Sequence, residues 1–279
     1  MNYNLLLCLA ITVTTVACND SKTTSEKATT MDSAKTTMSI REDSVTYTDG
    51  STSLKGYISY DDNKKGKRPA VLIVPEWWGL GNYTRGRAKQ LAELGYIAMA
   101  LDMYGNGKTA ADPKEAQALA TPAYKDPTIT LTRLNAAMTK LKEYAQVDTS
   151  NMAAIGYCYG GYVVLNAAKQ GADLKGVVSF HGNLGGVPVD KQKLKAKILV
   201  CHGAADQFVK AEEVAAFKHS MDSAGVDYTF KAYPNATHAF TNPEATANGK
   251  KFSIPIEYNA AADSASWNDM KEFFGKIFH

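Results

Sequence analysis

A cysteine set between glycines is the residue with the clearest chemical potential in this chain. The segment GYCYGG at 156–161 has the pattern G-x-C-x-G, a nucleophile elbow with cysteine in the place of serine. The glycines permit a sharp turn from a strand into a helix, and the start of that helix favours a thiolate. The pattern predicts that Cys158 is a nucleophile. The alternative is a buried structural cysteine in a glycine-rich turn.

A nucleophile of this kind needs a base and a residue that orients the base. Asp206 follows the apolar segment 198–201, and His238 follows the segment 227–232. The order nucleophile, acid, histidine is that of α/β-hydrolases, so we predict a triad of Cys158, His238 and Asp206. The sequence has four other histidines. His181 precedes the acid, and His202 ends a strand. His219 lies within a helix, and His279 ends the given sequence.

The loop after the first buried strand supplies a fourth part of the predicted site. It reads VPEWWGL at 74–80. In this type of fold the loop donates one amide of an oxyanion hole, and the residue after the nucleophile, Tyr159, donates the other. A carboxylate at Glu76 could exchange a proton with a nearby thiol. The alternative for Glu76 is a surface residue that caps the helix predicted over 85–94.

Strands and helices alternate along the part of the chain that holds these residues. A hairpin is predicted around 49–50, and the apolar run at 70–74 is typical of a strand buried on both faces. Further strands are predicted over 97–101, 152–155, 176–180, 198–201 and 227–232, and helices over 85–94, 113–120, 127–144, 160–169, 211–224 and 267–278. The pattern predicts an α/β fold, with a mostly parallel sheet, helices on both faces and a short N-terminal β-hairpin.

Aromatic residues concentrate near the predicted strand ends, where ligands bind in such sheets. They could line a cleft that favours apolar or ring-bearing acyl groups, or they could pack in the core. These residues are Trp77, Trp78, Tyr83, Tyr104, Tyr157 and Tyr159. The segment 233–251, which carries His238, has few regular signals and is interpreted as a flap with turns at 242–243 and 248–249.

The composition is that of a globular protein, with 45% hydrophobic and 21% charged residues in a chain of 279. The net charge of +3 is too small and too evenly spread to indicate nucleic-acid binding. The four cysteines, at positions 8, 18, 158 and 201, show neither zinc-site nor scaffold spacing. No apolar run is long enough for a transmembrane helix. The chemistry proposed for Cys158 requires no metal or organic cofactor.

The first 42 residues are predicted to export and tether the rest of the chain. The segment 5–17 is short and apolar, and small residues precede Cys18. This is typical of a bacterial lipoprotein signal over 1–18 in which Cys18 is lipidated; the alternatives are an ordinary signal peptide or a buried N-terminal helix. Residues 19–42 are rich in Ser, Thr and Lys and are predicted to form a disordered tether before a folded domain over 43–279. The expected location is the cell envelope, at a membrane.

Five segments spread over residues 44–278 together resemble the dienelactone hydrolase family of α/β-hydrolases. They are PEWWGL at 75–80, LDMYG at 101–105, GYCYGG at 156–161, residues 203–206 and THAF at 237–240. The resemblance implies that Cys158 is the nucleophile, His238 the base and Asp206 its orienting acid. It also implies that Glu76 assists thiolate formation and that the amides of Trp77 and Tyr159 form the oxyanion hole. Dienelactone hydrolases also carry an arginine just after Asp-x-Tyr that binds a substrate carboxylate. This chain has GNGK at 105–108 and lacks that arginine. The resemblance is therefore taken to imply the family's reaction and not its substrate.

The sequence therefore predicts a carboxymethylenebutenolidase-like hydrolase of ester or lactone carbonyls. Cys158 would attack the carbonyl, and water activated by His238 would hydrolyse the thioester. Candidate pocket residues are Trp78, Tyr104, Tyr157 and Asn106. The expected partners are a small-molecule ester or lactone, and a membrane through the lipid anchor only. The alternatives are a thiol acyltransferase or peptidase on the same triad, a non-catalytic binding lipoprotein, and a redox thiol.

Overall fold

A computed structural model describes residues 37–278, which form one eight-stranded sheet flanked by helices. The strands are β1 (Ile40–Thr48), β2 (Ser53–Asp61), β3 (Arg68–Val74), β4 (Ile97–Ala100), β5 (Val147–Tyr157), β6 (Gly176–Phe180), β7 (Lys197–Gly203) and β8 (Tyr228–Tyr233). The helices are α1 (Asn82–Glu93), α2 (Pro113–Lys125), α3 (Thr128–Lys142), α4 (Tyr159–Lys169), α5 (Ala211–Ala224), α6 (Ala245–Phe252) and α7 (Ala260–Ile277). Within this part of the chain, no helix combines the length and the apolar composition needed to span a membrane.

The strand order is β1-β2-β4-β3-β5-β6-β7-β8. The hairpin β1–β2 and the pair β2–β4 are antiparallel, and every other neighbouring pair is parallel. From β3 the chain first crosses to β4 on one side and later returns to β5 on the other. The carboxyl ends of β3 and β5 therefore flank a topological switch point, the usual place for a ligand site in such sheets.

The central strands are buried on both faces, as their continuous apolar sequences predict. In β3, Leu72 and Val74 pack into the core on one face, whereas Val71 and Ile73 pack into the core on the other. All four side chains are inaccessible to solvent. This double burial makes the centre of the sheet rigid, so the loops at its carboxyl edge project from a fixed platform.

The alternating pattern predicted from the sequence is confirmed, and the differences are local. The turn predicted at 248–249 is wrong, because these residues lie inside α6. A Cβ on Gly249 would lie 2.4 Å from the carbonyl oxygen of Ile256, so this glycine serves close packing and not a turn. The first strand begins at Ile40, so the boundary predicted at 42–43 lies inside β1. The predicted signal, Cys18 and residues 19–36 of the tether lie outside the described residues.

Candidate active site

Cys158 stands at the turn between β5 and α4 with a backbone that side chains rarely adopt. Its φ is 52° and its ψ is −114°. The turn closes only because its neighbours lack side chains: a Cβ on Gly156 would lie 2.0 Å from the oxygen of Gly160, and a Cβ on Gly160 would lie 2.2 Å from the oxygen of Val74. These contacts explain the pattern G-x-C-x-G physically. The turn holds a half-buried thiol at the N-terminus of a helix.

His238 and Asp206 come from the loops after β8 and β7 and meet at the same edge of the sheet. The Nδ1 atom of His238 lies 2.8 Å from Oδ2 of Asp206, whose side chain is fully buried. Burial by itself raises the pKa of Asp206. The hydrogen bonds from His238 and from the amides of Phe208 and Val209 outweigh it and hold the pKa below its ordinary value. Asp206 is therefore an anion that fixes the imidazole ring and leaves Nε2 free.

Cys158 and His238 line the same cleft, and their side chains interact electrostatically. Burial lowers the pKa of His238, but the negative charges of Cys158 and Asp206 and their hydrogen bonds raise it well above its ordinary value. The imidazole is therefore held between Cys158 and Asp206, and both favour its protonated form. This geometry can hold a thiolate beside an imidazolium, which is the charge distribution of an activated cysteine nucleophile.

Glu76 is buried in the loop after β3 and lines the same cleft as Cys158. Its Oε2 accepts a hydrogen bond of 2.6 Å from Nδ2 of Asn242, a residue in the loop that carries His238. Burial raises the pKa of Glu76 to about 7, although the bond from Asn242 acts in the opposite direction. Glu76 is thus a buried acid that changes charge near neutral pH, and it is not the surface helix cap that was the alternative for it.

A network behind the nucleophile was not predicted from the sequence. The backbone N–H of Cys158 is shared between the carbonyl of Phe180 and Nδ1 of His181, at 2.9 and 3.1 Å. Nε2 of His181 lies 2.7 Å from Oγ1 of Thr241, which lies 2.7 Å from the hydroxyl of Tyr83. Since Nδ1 accepts, the neutral tautomer of His181 donates from Nε2. Burial lowers the pKa of His181, which keeps the ring neutral.

This network shows why sequence reasoning missed these residues. From the sequence, His181 is only a competing base, and its position directly after β6 gives no sign of a bond to the backbone N–H of Cys158. Thr241 and Asn242 follow His238 closely in the sequence, but no residue spacing marks a bond across the cleft. Only contacts between loops that are distant in the sequence reveal these roles.

A cleft of about 660 Å³ opens above Cys158, Glu76 and His238. Its walls are mainly aromatic and aliphatic. They are formed by Trp77, Trp78, Gln117, Tyr124, Tyr162, Asn183, Gly185, Gly186, Phe208, Glu213, Ala239, Ile254 and Ile256. In the part of the chain that the structure describes, no cluster of three or more His, Cys, Asp or Glu side chains is arranged to hold a metal ion.

Of the four residues expected in the substrate pocket, only Trp78 lines the cleft. Tyr157 is fully buried and stacks on Phe180, because its position in β5 directs it into the core. Tyr104 is buried and donates from its hydroxyl to the carbonyl of Trp77 at 2.8 Å. Asn106 is exposed in a loop, and its backbone N–H donates to the carbonyl of Ser53 in the hairpin. The expectation of a pocket role for Tyr104, Tyr157 and Asn106 is therefore corrected.

The two residues expected to supply the oxyanion hole, Tyr159 and Trp77, come after β5 and β3. Tyr159 is the first residue of α4, and amides in the first turn of a helix have no intrahelical acceptor. Trp77 follows Glu76 in the sequence and lines the cleft. The hydroxyl of Tyr104 donates to the carbonyl of Trp77, which fixes the orientation of the peptide between Trp77 and Trp78. The two loops, which follow β5 and β3, meet at the topological switch point of the sheet.

Comparison with known proteins gives the family. The family model of the dienelactone hydrolases matches residues 54–278, which is most of the chain. The chain belongs to the dienelactone hydrolase family. Members of this family hydrolyse ester or lactone bonds, so the hydrolase class and the α/β-hydrolase fold predicted from the sequence are confirmed.

Proteins similar to this chain agree with the family assignment. A Yersinia pestis protein, provisionally named carboxymethylenebutenolidase, is 26% identical over 233 residues, which are 79% of this chain and 83% of that protein. A protein of the same provisional name from Methylorubrum extorquens is 29% identical, and the match spans 63% of this chain and 64% of that protein. A solved dienelactone hydrolase-like promiscuous phosphotriesterase from metagenomic libraries is 35% identical. Its match covers 86% of this chain and 99% of that one, with a TM-score of 0.81.

Proposed function

We propose that this dienelactone hydrolase cleaves its ester or lactone substrates with a Cys158–His238–Asp206 triad. The observation that carries the proposal is the pair of His238 and the buried Asp206, whose Nδ1 and Oδ2 atoms lie 2.8 Å apart, in a cleft that Cys158 and His238 both line. Interaction with Cys158 and Asp206 raises the pKa of His238. A nucleophile, a base and an orienting acid in this arrangement form the standard constellation for acyl transfer.

The reaction follows from these positions. The sulfur of Cys158 attacks the carbonyl carbon, and the amides of Trp77 and Tyr159 stabilise the negative charge that develops on the carbonyl oxygen. His238 donates its Nε2 proton to the leaving oxygen, so an alcohol departs, or the ring opens in a lactone, and a thioester remains. His238 then takes a proton from water, whose oxygen attacks the thioester. Collapse of this second intermediate releases the acid and restores the thiolate.

Glu76 has an assisting role in this proposal. It lines the cleft beside Cys158, is held by Asn242, and has a pKa of about 7 because it is buried. A carboxyl group with that pKa can accept or return a proton near neutral pH without a large energetic penalty. We therefore assign to Glu76 the exchange of a proton with the thiol as substrate enters the cleft.

The test is hydrolysis of a panel of aryl esters and lactones by the full chain, with wild type beside Cys158→Ala. We expect the substitution to lower kcat/KM by roughly 10³-fold or more, because attack by the enzyme on the carbonyl is lost. The matched control is Cys201→Ala, which removes the same atom from a buried cysteine in β7. Burial raises the pKa of Cys201 to about 12, so this thiol is a poor nucleophile.

Two outcomes of this experiment would contradict the triad. One is undiminished turnover by a folded Cys158→Ala variant, and the other is equal loss of turnover in Cys201→Ala. A second measurement follows the acyl-enzyme intermediate. Asp206→Asn should leave the base, His238, wrongly oriented and so slow deacylation. Mass spectrometry of the quenched enzyme should then find the acyl group on Cys158. An acyl group on any other residue would assign the nucleophile elsewhere.

A second candidate reaction is hydrolysis of uncharged phosphotriesters. It is favoured by the 35% identity to the promiscuous phosphotriesterase and by a cleft in which, among described residues, no lysine or arginine lines the walls. In this reaction the sulfur of Cys158 attacks phosphorus, an aryloxide leaves, and water hydrolyses the S–P bond. Aryl dialkyl phosphates serve as the probe, and turnover that survives Cys158→Ala would exclude this route.

The proposal extends to location. The apolar segment 5–17 and the small residues before Cys18 support export and lipidation at Cys18, followed by a tether. Such an anchor would place the hydrolase at a membrane of the cell envelope.

A further inference from the structure

Apart from His238, which is paired with Asp206, the charged side chains that line the cleft are acidic. Glu76 and Glu213 are the acidic residues among its lining side chains. Across residues 37–278, no lysine or arginine lines it, and the imidazole of His238 lies between Cys158 and Asp206. A substrate carboxylate would therefore meet carboxylates on the walls and no cationic side chain that is free to bind it.

Glu213 is fixed in position and is not a mobile surface group. It lies on α5, and its Oε1 accepts hydrogen bonds from the amides of Leu184 and Gly185 at 2.6 and 3.2 Å. These two bonds hold the carboxylate against the loop after β6, which forms part of the cleft wall. The carboxyl group is thus held in one position on this wall.

Two buried cations lie near the site, and both are bound to other groups. Lys169 is buried under the same loop and donates to the carbonyls of Leu184 and Gly185 at 3.2 and 3.4 Å. Arg87 is paired with Asp263 and donates to the carbonyl of Thr241 at 2.8 Å. Neither side chain lines the cleft, so neither can bind a substrate carboxylate without losing these partners.

The remaining walls favour flat apolar groups. Trp77 and Trp78 pack edge to face at 5.2 Å between ring centroids, and Tyr124 and Tyr162 are 4.6 Å apart. Phe208 lies 5.0 Å from the ring of His238 and is 41% exposed, so a substrate can cover it. Such rings bind aryl and alkyl groups by burial of apolar surface.

We infer that this cleft selects uncharged ester or lactone substrates with an apolar or aromatic part, and rejects those that carry a carboxylate. This inference rests on the proposed function. It separates the chain from relatives whose name, carboxymethylenebutenolidase, denotes a substrate with a carboxyl group. The basis is the charge of the walls. An anion is repelled by Glu213, and by Glu76 in its ionised form, and no lysine or arginine among the described cleft-lining residues offsets the desolvation of its carboxylate.

The experiment compares three 4-nitrophenyl esters with the same six-carbon acyl chain in the full-length enzyme. The chains end in a methyl group, a carboxylate or a trimethylammonium group. At low salt we expect kcat/KM for the carboxylate to fall roughly tenfold or more below that for the equally polar trimethylammonium ester. Added salt should reduce this ratio, because it screens charge. A ratio near one, or a preference for the carboxylate, would overturn the inference and leave the triad standing.

A substitution at the rim adds the missing cation. Gln117 is exposed on α2 and lines the cleft, so Gln117→Arg should raise kcat/KM for the carboxylate ester roughly three- to tenfold. The matched control is Ala118→Arg, which adds the same charge to the next exposed residue of α2, outside the cleft lining. An equal gain in the control would mean that the net charge of the protein, and not the charge of the cleft wall, sets the preference for the carboxylate ester. That result would contradict the inference. If folded wild type hydrolyses none of the three esters, the proposed function fails as well.

Discussion

At the scale of single residues, Glu76 is the group whose chemistry depends most on its surroundings. Exposed glutamates are anions at neutral pH, but Glu76 is buried and its one described hydrogen-bond donor is the uncharged amide of Asn242. Desolvation therefore raises its pKa from the ordinary 4.5 to about 7. This single carboxyl links the protonation of the cleft to the stability of the fold.

Glu76→Gln should change how stability depends on pH. Between about 4.5 and about 7 the folded protein keeps a proton that the unfolded chain has released, so the contribution of Glu76 to the unfolding free energy falls as pH rises through this window. Glutamine keeps the acceptor for Asn242 and carries no charge. Urea denaturation at several pH values should therefore show the variant gaining stability relative to wild type from pH 5 to pH 8.

The control for this measurement is Glu93→Gln, which removes an exposed carboxyl from the end of α1. Its stability should follow that of wild type across the same pH range. A stability difference between Glu76→Gln and wild type that does not change with pH would show that Glu76 is already ionised in the folded protein at pH 5.

At the scale of elements, one hydroxyl joins three segments that are far apart in the sequence. Thr241 lies in the loop after β8, His181 directly follows β6, and Tyr83 lies in the first turn of α1. His181 in turn accepts from the amide of Cys158, so the bonds run from α1 to the nucleophile turn. Because these groups are buried, each bond that is lost leaves a polar atom without water.

Thr241→Val should therefore destabilise the fold by about 1–3 kcal/mol, since it removes a shared partner of His181 and Tyr83 and keeps the shape of the side chain. Urea denaturation measures the change. A Thr241→Val, Tyr83→Phe double variant should lose less stability than the sum of the two single variants, because both remove the same bond.

The matched control is Thr139→Val on α3, where the hydroxyl is exposed and bonds only to the carbonyl of Asn135 four residues earlier. Its effect should stay within about 0.5 kcal/mol. Additive losses in the double variant would show that Thr241 and Tyr83 are not coupled.

At the scale of the whole molecule, the described domain carries its cleft at the carboxyl edge of the sheet. The chain before it is predicted to carry an export signal and a lipid attachment site. The two functions are separable, because none of the groups proposed for catalysis lies in residues 1–36. Location and activity should therefore respond to different substitutions.

Cys18→Ala should move the protein from the membrane fraction to the soluble fraction without a change in esterase kcat/KM, since only the lipid attachment is lost. Cell fractionation with immunoblotting measures the first effect and ester hydrolysis the second. Cys8→Ala, which lies within the predicted apolar segment, is the matched control and should remain in the membrane fraction. A Cys18→Ala variant that stays membrane-bound would exclude the lipid anchor.

The features of this protein that depend on local pattern can be predicted from the amino-acid sequence. The order of strands and helices follows from apolar periodicity, and the close contacts at Gly156 and Gly160 are implied by a glycine pattern that only a tight turn requires. The positions of Asp206 and His238 after strands β7 and β8 follow from the same reasoning, because parallel strands end at one edge.

Which side chains meet and which are buried depends on the three-dimensional packing of the chain. Tyr157 was a reasonable pocket residue from its place beside Cys158, yet strand alternation turns it into the core. The bonds of Asn242 to Glu76 and of His181 to the amide of Cys158 join loops that are distant in the sequence. The sign of the charge on the cleft walls likewise depends on where α2, α5 and the loops come together. Such contacts are set by packing of the whole chain, and no local pattern encodes them.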